Sequence, residues 1–380
     1  MDKKKILILA ILAAFLVPLS GSIYMPNIPS IENEFGSSWL IPFTVTGYLA
    51  AQAVFQLFYG PLSDKFGRRK VYIPALFAFV ISNILCFIAW TPSSLAIFRI
   101  FQGGAVASGF TVGAAVMSDV FSKNQRGGAM GMLLAVPLIA PPVGSFLGGL
   151  LGEIFTWRSI FLFLGLMGTF TAVFFFLFFP ETRDSQKTEI VDVYSSLKFL
   201  LDINYLTVTF LALALFGTLY IYLTFFGDIL ANEYGFNTFW VGIAFTLFGI
   251  IDSIAAYTGG KLSDRLGRKK IFITGGMIAT FGTLLFSLMI GQDVSLLVGS
   301  HLIFGLGIGF AEPALVTYAV EHAPKSTGSA SGVYNFSRAL GAATVTFMGY
   351  FIIDAYSNFT LFILCSIAIF LITITAIKTT

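Results

Sequence analysis

The chain has 380 residues, 57% of them hydrophobic and only 11% charged, with 43 Phe and a mean hydropathy of +0.88. A soluble domain carries about 25% charged residues, so this surface cannot face water all round, and a soluble enzyme or binding module is excluded. A net charge of +3 points to no nucleic-acid partner. Cys86 and Cys365 both fall inside apolar runs, which gives neither a disulfide framework nor a metal site. Apolar segments of about 20 residues match the ~30 Å hydrocarbon core of a bilayer, and the fold class is an all-α integral membrane protein.

Lys3-Lys4-Lys5 followed by Ile6 to Pro18 fits either a cleaved signal peptide or a first membrane helix. Ile6 lies 200 positions before Leu206, where the second half begins its own first helix. Span 1 is therefore retained. The next spans are expected at 41–59, 71–90, 95–117, 127–150 and 159–179, then at 205–226, 240–258, 271–290, 294–318, 328–352 and 358–377. Twelve helices in two bundles follow, 1–179 and 205–380, joined by a polar linker, 180–204, whose stretch Val191 to Leu201 suits the inner membrane surface.

With the N-terminus inside, all but three of the 22 Lys and Arg fall on inner segments; Arg158 is outer, and Arg99 and Arg338 lie within helices. This bias places both termini in the cytoplasm. Six helices per half is an even number, so the halves enter the membrane in the same sense. They are expected to be related by a pseudo-twofold axis along the membrane normal, with substrate between them at mid-depth.

Between spans 2 and 3 the chain reads Gly60-Pro-Leu-Ser-Asp64-Lys-Phe-Gly67-Arg68-Arg69-Lys70, and 200 positions later Gly260-Lys-Leu-Ser-Asp264-Arg-Leu-Gly267-Arg268-Lys269-Lys270. Glycines permit a tight turn, and a carboxylate here can approach a helix N-terminus, where the dipole favours anions. The duplicated loop resembles the Gly-x-Leu-x-Asp-x-x-Gly-Arg-Arg/Lys signature of the major facilitator superfamily. The resemblance implies a conformational latch at Gly60, Asp64, Gly67, Arg68, Gly260, Asp264, Gly267 and Arg268.

Further motifs carry the same likeness. Arg99-Ile-Phe-Gln102-Gly103 resembles the family's Arg-x-x-Gln-Gly, which implies that Arg99 assists proton movement; snorkelling to the outer headgroups is the structural alternative. Ala140-Pro141-Pro142-Val-Gly144-Ser145 resembles the antiporter motif Gly-Pro-x-x-Gly-Gly, with Ala140 and Ser145 in glycine positions. Ala140, Gly144, Gly148 and Gly152 also form a small-residue ridge that plain helix packing explains. Ser22-Ile-Tyr24-Met-Pro-Asn-Ile-Pro29 is similar to the Asp-x-Tyr-Leu-Pro-x-x-Pro of bicyclomycin-resistance-type drug:proton antiporters, with Ser22 where the acid stands.

That missing acid directs attention to Asp252, which lies 12 residues after Trp240, about 18 Å into the bilayer at ~1.5 Å per residue. An intramembrane carboxylate is a functional candidate by default. Glu312, preceding Pro313, is the second candidate; Arg338 can pair with either acid, and such a pair would be structural instead. His301 is read as a packing histidine over a proton relay. Tyr24, Gln52, Gln56, Gln102, Tyr220, Tyr222, Tyr257, Tyr334 and Asn335 are the polar-tipped residues expected to line a cavity.

No Gly-x-Ser-x-Gly, His-Glu-x-x-His or Walker A sequence is present. The expectation is a monomeric, multi-pass plasma-membrane protein that is not an enzyme and needs no cofactor or metal. Its partners are a small-molecule substrate, protons and the lipid bilayer. It would work by alternating access as a proton-coupled exporter of small amphipathic compounds; import by symport and a non-transporting sensor are the alternatives.

Overall fold

The computed structural model describes residues 2–36, 38–183, 203–321 and 327–378. The stretch 191–201, expected at the inner membrane surface, and the side chain of Asn335 lie outside the described residues. Two compact units form, Met1–Val191 and Asp192–Thr380.

In the first unit the helices are α1 (Lys3–Ser22), α2 (Ile28–Phe35), α3 (Leu40–Phe66), α4 (Arg68–Phe87), α5 (Pro92–Val106), α6 (Ser108–Val120), α7 (Lys123–Ala135), α8 (Ala140–Ile154) and α9 (Ser159–Phe178). In the second they are α10 (Ile203–Asn232), α11 (Thr238–Leu266), α12 (Arg268–Met289), α13 (Val294–Glu321), α14 (Thr327–Ala355) and α15 (Asn358–Lys378). Among the described residues, twelve spans are long and apolar enough to cross a membrane, six per unit.

Three of the expected spans are broken rods. Span 1 is α1 and α2 joined by a 3-10 turn, Met25–Asn27, where Pro26 and Pro29 withhold N–H groups. Span 4 is divided at Ala107 between α5 and α6. Span 5 carries a 3-10 turn, Val136–Ile139, between α7 and α8, with Pro137 inside it and Pro141 and Pro142 just beyond. Elsewhere local chemistry sets the ends. A Thr91–Ser94 capping box opens α5, and the Asn237 side chain accepts from the Trp240 N–H to open α11.

The two units use the same pairing internally. In the first, α1 packs on α6 and α8, α3 on α5, and α4 on α9. In the second, α10 packs on α14, α11 on α13, and α12 on α15. Hydrocarbon supplies no hydrophobic drive for helix association, so close backbone approach takes that role. Gly103 meets the Tyr48 carbonyl where any Cβ would stand. The opposite faces are apolar and exposed: on α9, Leu162, Leu166, Phe170, Phe174 and Phe178 point outward while Phe161, Leu164 and Phe175 are buried, as lipid contact requires.

Candidate functional site

The duplicated loop is most fully built in the first unit. Gly67, at φ +102°, makes the turn between α3 and α4. Arg68 is buried, and its guanidinium reaches Asp64 Oδ1 at 2.5 Å, Asp119 Oδ2 at 2.8 Å and Ser63 Oγ at 2.6 Å. In the second unit Gly267 repeats the turn at φ +96°, and Arg268 Nη2 stands 4.0 Å from Asp264 Oδ1. Gly60 and Gly260 do not serve the turn. Both lie inside helices, and an added Cβ would meet nothing closer than 3.9 Å. Within the first unit the anion at the α4 N-terminus is Glu181, which accepts from the Arg68 and Arg69 N–H groups, whereas Asp64 pairs with Arg68.

Arg99 does not snorkel. It is 0% exposed, with its guanidinium between the Tyr24 and Tyr48 rings at 4.3 and 4.1 Å. Nε donates to the Thr44 carbonyl at 3.3 Å, and Nη1 donates to the Ser20 carbonyl and to Gln102 Oε1. Gln102 in turn donates to Asn83 at 2.7 Å, and Nη2 has no hydrogen-bond partner. No carboxylate pairs with Arg99 among the described residues. Two ring faces, two backbone carbonyls and the Gln102 amide oxygen are what hold this charge.

The antiporter-like motif packs on span 1. Ser22 Oγ donates to the Ala140 carbonyl at 3.3 Å. A Cβ on Gly144 would strike Ser22 Oγ, and one on Gly148 would strike the Ile23 carbonyl. Asn27 Nδ2 donates to the Gly148 carbonyl at 2.9 Å. Pro141 follows the 3-10 turn and Ser145 is buried. Helix packing against span 1 accounts for Gly144 and Gly148 of the ridge.

In the second unit three of the four proton-coupling candidates come together, while Arg99 belongs to the first. Arg338 Nη2 lies 2.9 Å from Glu312 Oε1, with side chains 28% and 25% exposed, and the Arg338 guanidinium rests 3.8 Å over the Phe216 ring. Asp252 is brought close by a backbone contact between α11 and α13: a Cβ on Gly309 would meet the Asp252 carbonyl at 2.5 Å. Pro313 lacks the N–H that would bond back to that turn. Asp252 Oδ1 is enclosed and without a hydrogen-bond partner, and Glu312 acts on it electrostatically.

Several cavity candidates are instead built into bundle interiors. Tyr24 and Gln102 belong to the Arg99 network, and the Tyr24 hydroxyl meets Thr44 Oγ1 at 2.5 Å. Tyr222 is 0% exposed and stacks 3.9 Å from Phe304; Tyr334 is buried. Gln52, Gln56 and Tyr220 are half-buried. Tyr257 is 62% exposed, with its hydroxyl accepting from Lys261. His301 is enclosed by rings, 3.8 Å from Phe226 and 4.5 Å from Phe248, and neither ring nitrogen has a hydrogen-bond partner.

Sequence reasoning did not single out Tyr48, Thr44, Asn83, Asp119, Glu181 or the pair Glu34–Arg158. At the end of α2, Glu34 takes both Arg158 Nη atoms at 2.7 Å and the Trp157 N–H. Glu34 and Arg158 were each legible as an isolated outer charge. Asp119 and Glu181 sit at helix ends, where a lone acid carries no distinguishing pattern.

The Major Facilitator Superfamily profile matches residues 10–346. The uncharacterized MFS-type transporter YdgK of Bacillus subtilis is 27% identical over 330 residues, covering 84% of this chain and 82% of that protein. Citrate exporter 1 of Aspergillus niger is 30% identical over 172 residues, covering 45% of this chain and 33% of that protein. The fold is that of the crystal structure of nucleoside transporter NupG (D323A mutant), with a TM-score of 0.80, 14% identity and 99% of each chain covered. Twelve apolar spans, a duplicated loop and a match over most of its length together make this chain a multi-pass membrane protein that belongs to the major facilitator superfamily of transporters.

Proposed function

We propose that the protein is a proton-coupled exporter of small amphipathic compounds, with Asp252 and the Glu312–Arg338 pair as its coupling centre. The observation that carries the reading is Asp252: an intramembrane carboxyl with an enclosed, unbonded Oδ1 beside a second acid already engaged by Arg338. A carboxylate in that setting is costly, and a bound proton removes the cost. Substrate and proton would compete there as residues 1–179 rock against 205–380, exposing one cavity alternately to each side of the plasma membrane. Both termini are assigned to the cytoplasm, and the transporter acts as a monomer.

Export draws on the Ala140–Ser145 likeness and on the name of the citrate exporter that resembles part of the chain. Import by symport is the second reading, supported by Ser22 at the position of the family acid, where its hydroxyl is spent on backbone carbonyls. Everted membrane vesicles carrying an established proton gradient separate the two. A panel of lipophilic cations, antibiotics, carboxylates, sugars and amino acids is added, and a pH-sensitive dye reports dissipation. At least one class is expected to collapse the gradient only when the protein is present. Undiminished pH-driven transport in both Asp252→Asn and Glu312→Gln would sink the assignment.

A further inference from the structure

We infer that Glu181 and Arg183, the first charged residues of the linker, are positioning residues of the latch and make its closure depend on the linker. This rests on the reading of the duplicated loop as a latch in a transport cycle. Glu181 Oε1 accepts from the Arg68 N–H at 2.8 Å, and Oε2 accepts from the Arg69 N–H at 3.2 Å. These are N–H groups of the first turn of α4, which have no partner inside the helix. On the other side of the turn, Arg183 Nη1 donates to the Lys65 carbonyl at 2.6 Å, in the last turn of α3.

The clip therefore sets an anion against the positive end of one helix and a cation against the negative end of the other, as both dipoles favour. The same carboxylate also accepts from the Thr182 and Arg183 N–H groups, which ties it to its own backbone. Arg69 Nη2 closes the arrangement on the Phe176 carbonyl at the end of α9.

Two features make this more than a surface tether. Arg68 is held from both ends: its backbone N–H by Glu181, its guanidinium by Asp64 and Asp119. The Glu181 carboxylate also lies directly against the turn, where a Cβ on Gly67 would meet it. In the second copy, among the described residues, a Cβ on Gly267 would have nothing within 4 Å. Withdrawing the linker from the turn would uncap α4 and release the base of Arg68 together.

The test uses the full-length protein in nanodiscs, with hydrogen exchange read on peptides spanning 60–75. In Glu181→Ala, exchange of the Arg68 and Arg69 amides is expected to rise about tenfold with the thermal midpoint unchanged. Glu181→Gln, which keeps an uncharged acceptor, is expected in between. In proteoliposomes, Glu181→Ala and Arg183→Ala are expected to change the maximal rate of transport about threefold or more at constant KM, and Glu181→Gln to restore part of it. Unchanged amide exchange, or raised exchange with an unchanged maximal rate, would overturn the inference. If the wild type moves no compound, the transport reading fails, and the exchange result still decides whether the clip exists.

Discussion

Each unit buries one basic residue inside a ring of aromatic side chains, and the two are solved in different ways. Arg99 in α5 and His301 in α13 lie 202 positions apart, on helices with the same packing partners in their units. Tyr48 faces Arg99, and Phe248, 200 positions later, stacks on His301. The permanent charge of Arg99 has drawn in carbonyls, Gln102 and Asn83. The imidazole of His301 is packed as one more ring, with no hydrogen bond at all. The first unit thus seals its charge away, and the second leaves its titratable charge at Glu312, Arg338 and Asp252, where two side chains keep a quarter of their surface open.

The comparison breaks first if the cages are interchangeable. His301→Arg places a cation among rings where the imidazole nitrogens find no hydrogen-bond partner, and is expected to cost on the order of 3–5 kcal/mol in thermal unfolding of purified protein. Arg99→Leu leaves the Gln102 side-chain carbonyl without its donor and empties the space between the Tyr24 and Tyr48 rings, with an expected loss of about 3 kcal/mol. Similar midpoints for both variants and wild type would show that neither cage discriminates charge.

The acids should respond in the opposite manner. Asp252→Asn and Glu312→Gln are expected to lower pH-driven transport about tenfold or more and to flatten its pH dependence, with unfolding midpoints close to wild type. Should the acid variants lose stability and keep transport, the division between the two units would be reversed. The smallest effect is expected for His301→Phe, which keeps the stacked ring and removes two unbonded nitrogens. Its stability should stay within about 1 kcal/mol of wild type, with transport unchanged.

Much of this was legible from residue types alone. Apolar length located all twelve spans, and the duplicated loop pointed to the family. The intramembrane position of Asp252 followed from counting residues along one helix. What the sequence withheld were partners supplied across the bundle. Tyr48, Thr44 and Asn83 are ordinary residues in apolar runs, and only folding brings them to Arg99. The same holds for Glu181, 113 positions from the N–H it caps. Tyr24, Tyr222 and Tyr334 were expected at a cavity because a phenol is polar. Burial turned those tips inward, since a bundle interior holding an Arg or a stacked imidazole takes up aromatic faces as readily as a cavity wall does. The repeat register was an unused signal: offsets near 200 link Arg99 with His301 and Tyr48 with Phe248.

The most direct test of the central claim is the count of protons released when a transported compound, taken from the vesicle panel, binds purified protein in weakly buffered solution. Wild type is expected to release protons in proportion to bound compound, and Asp252→Asn or Glu312→Gln to abolish the release. Binding without release in wild type, or release that survives in both variants, would contradict a coupling centre at Asp252 and Glu312.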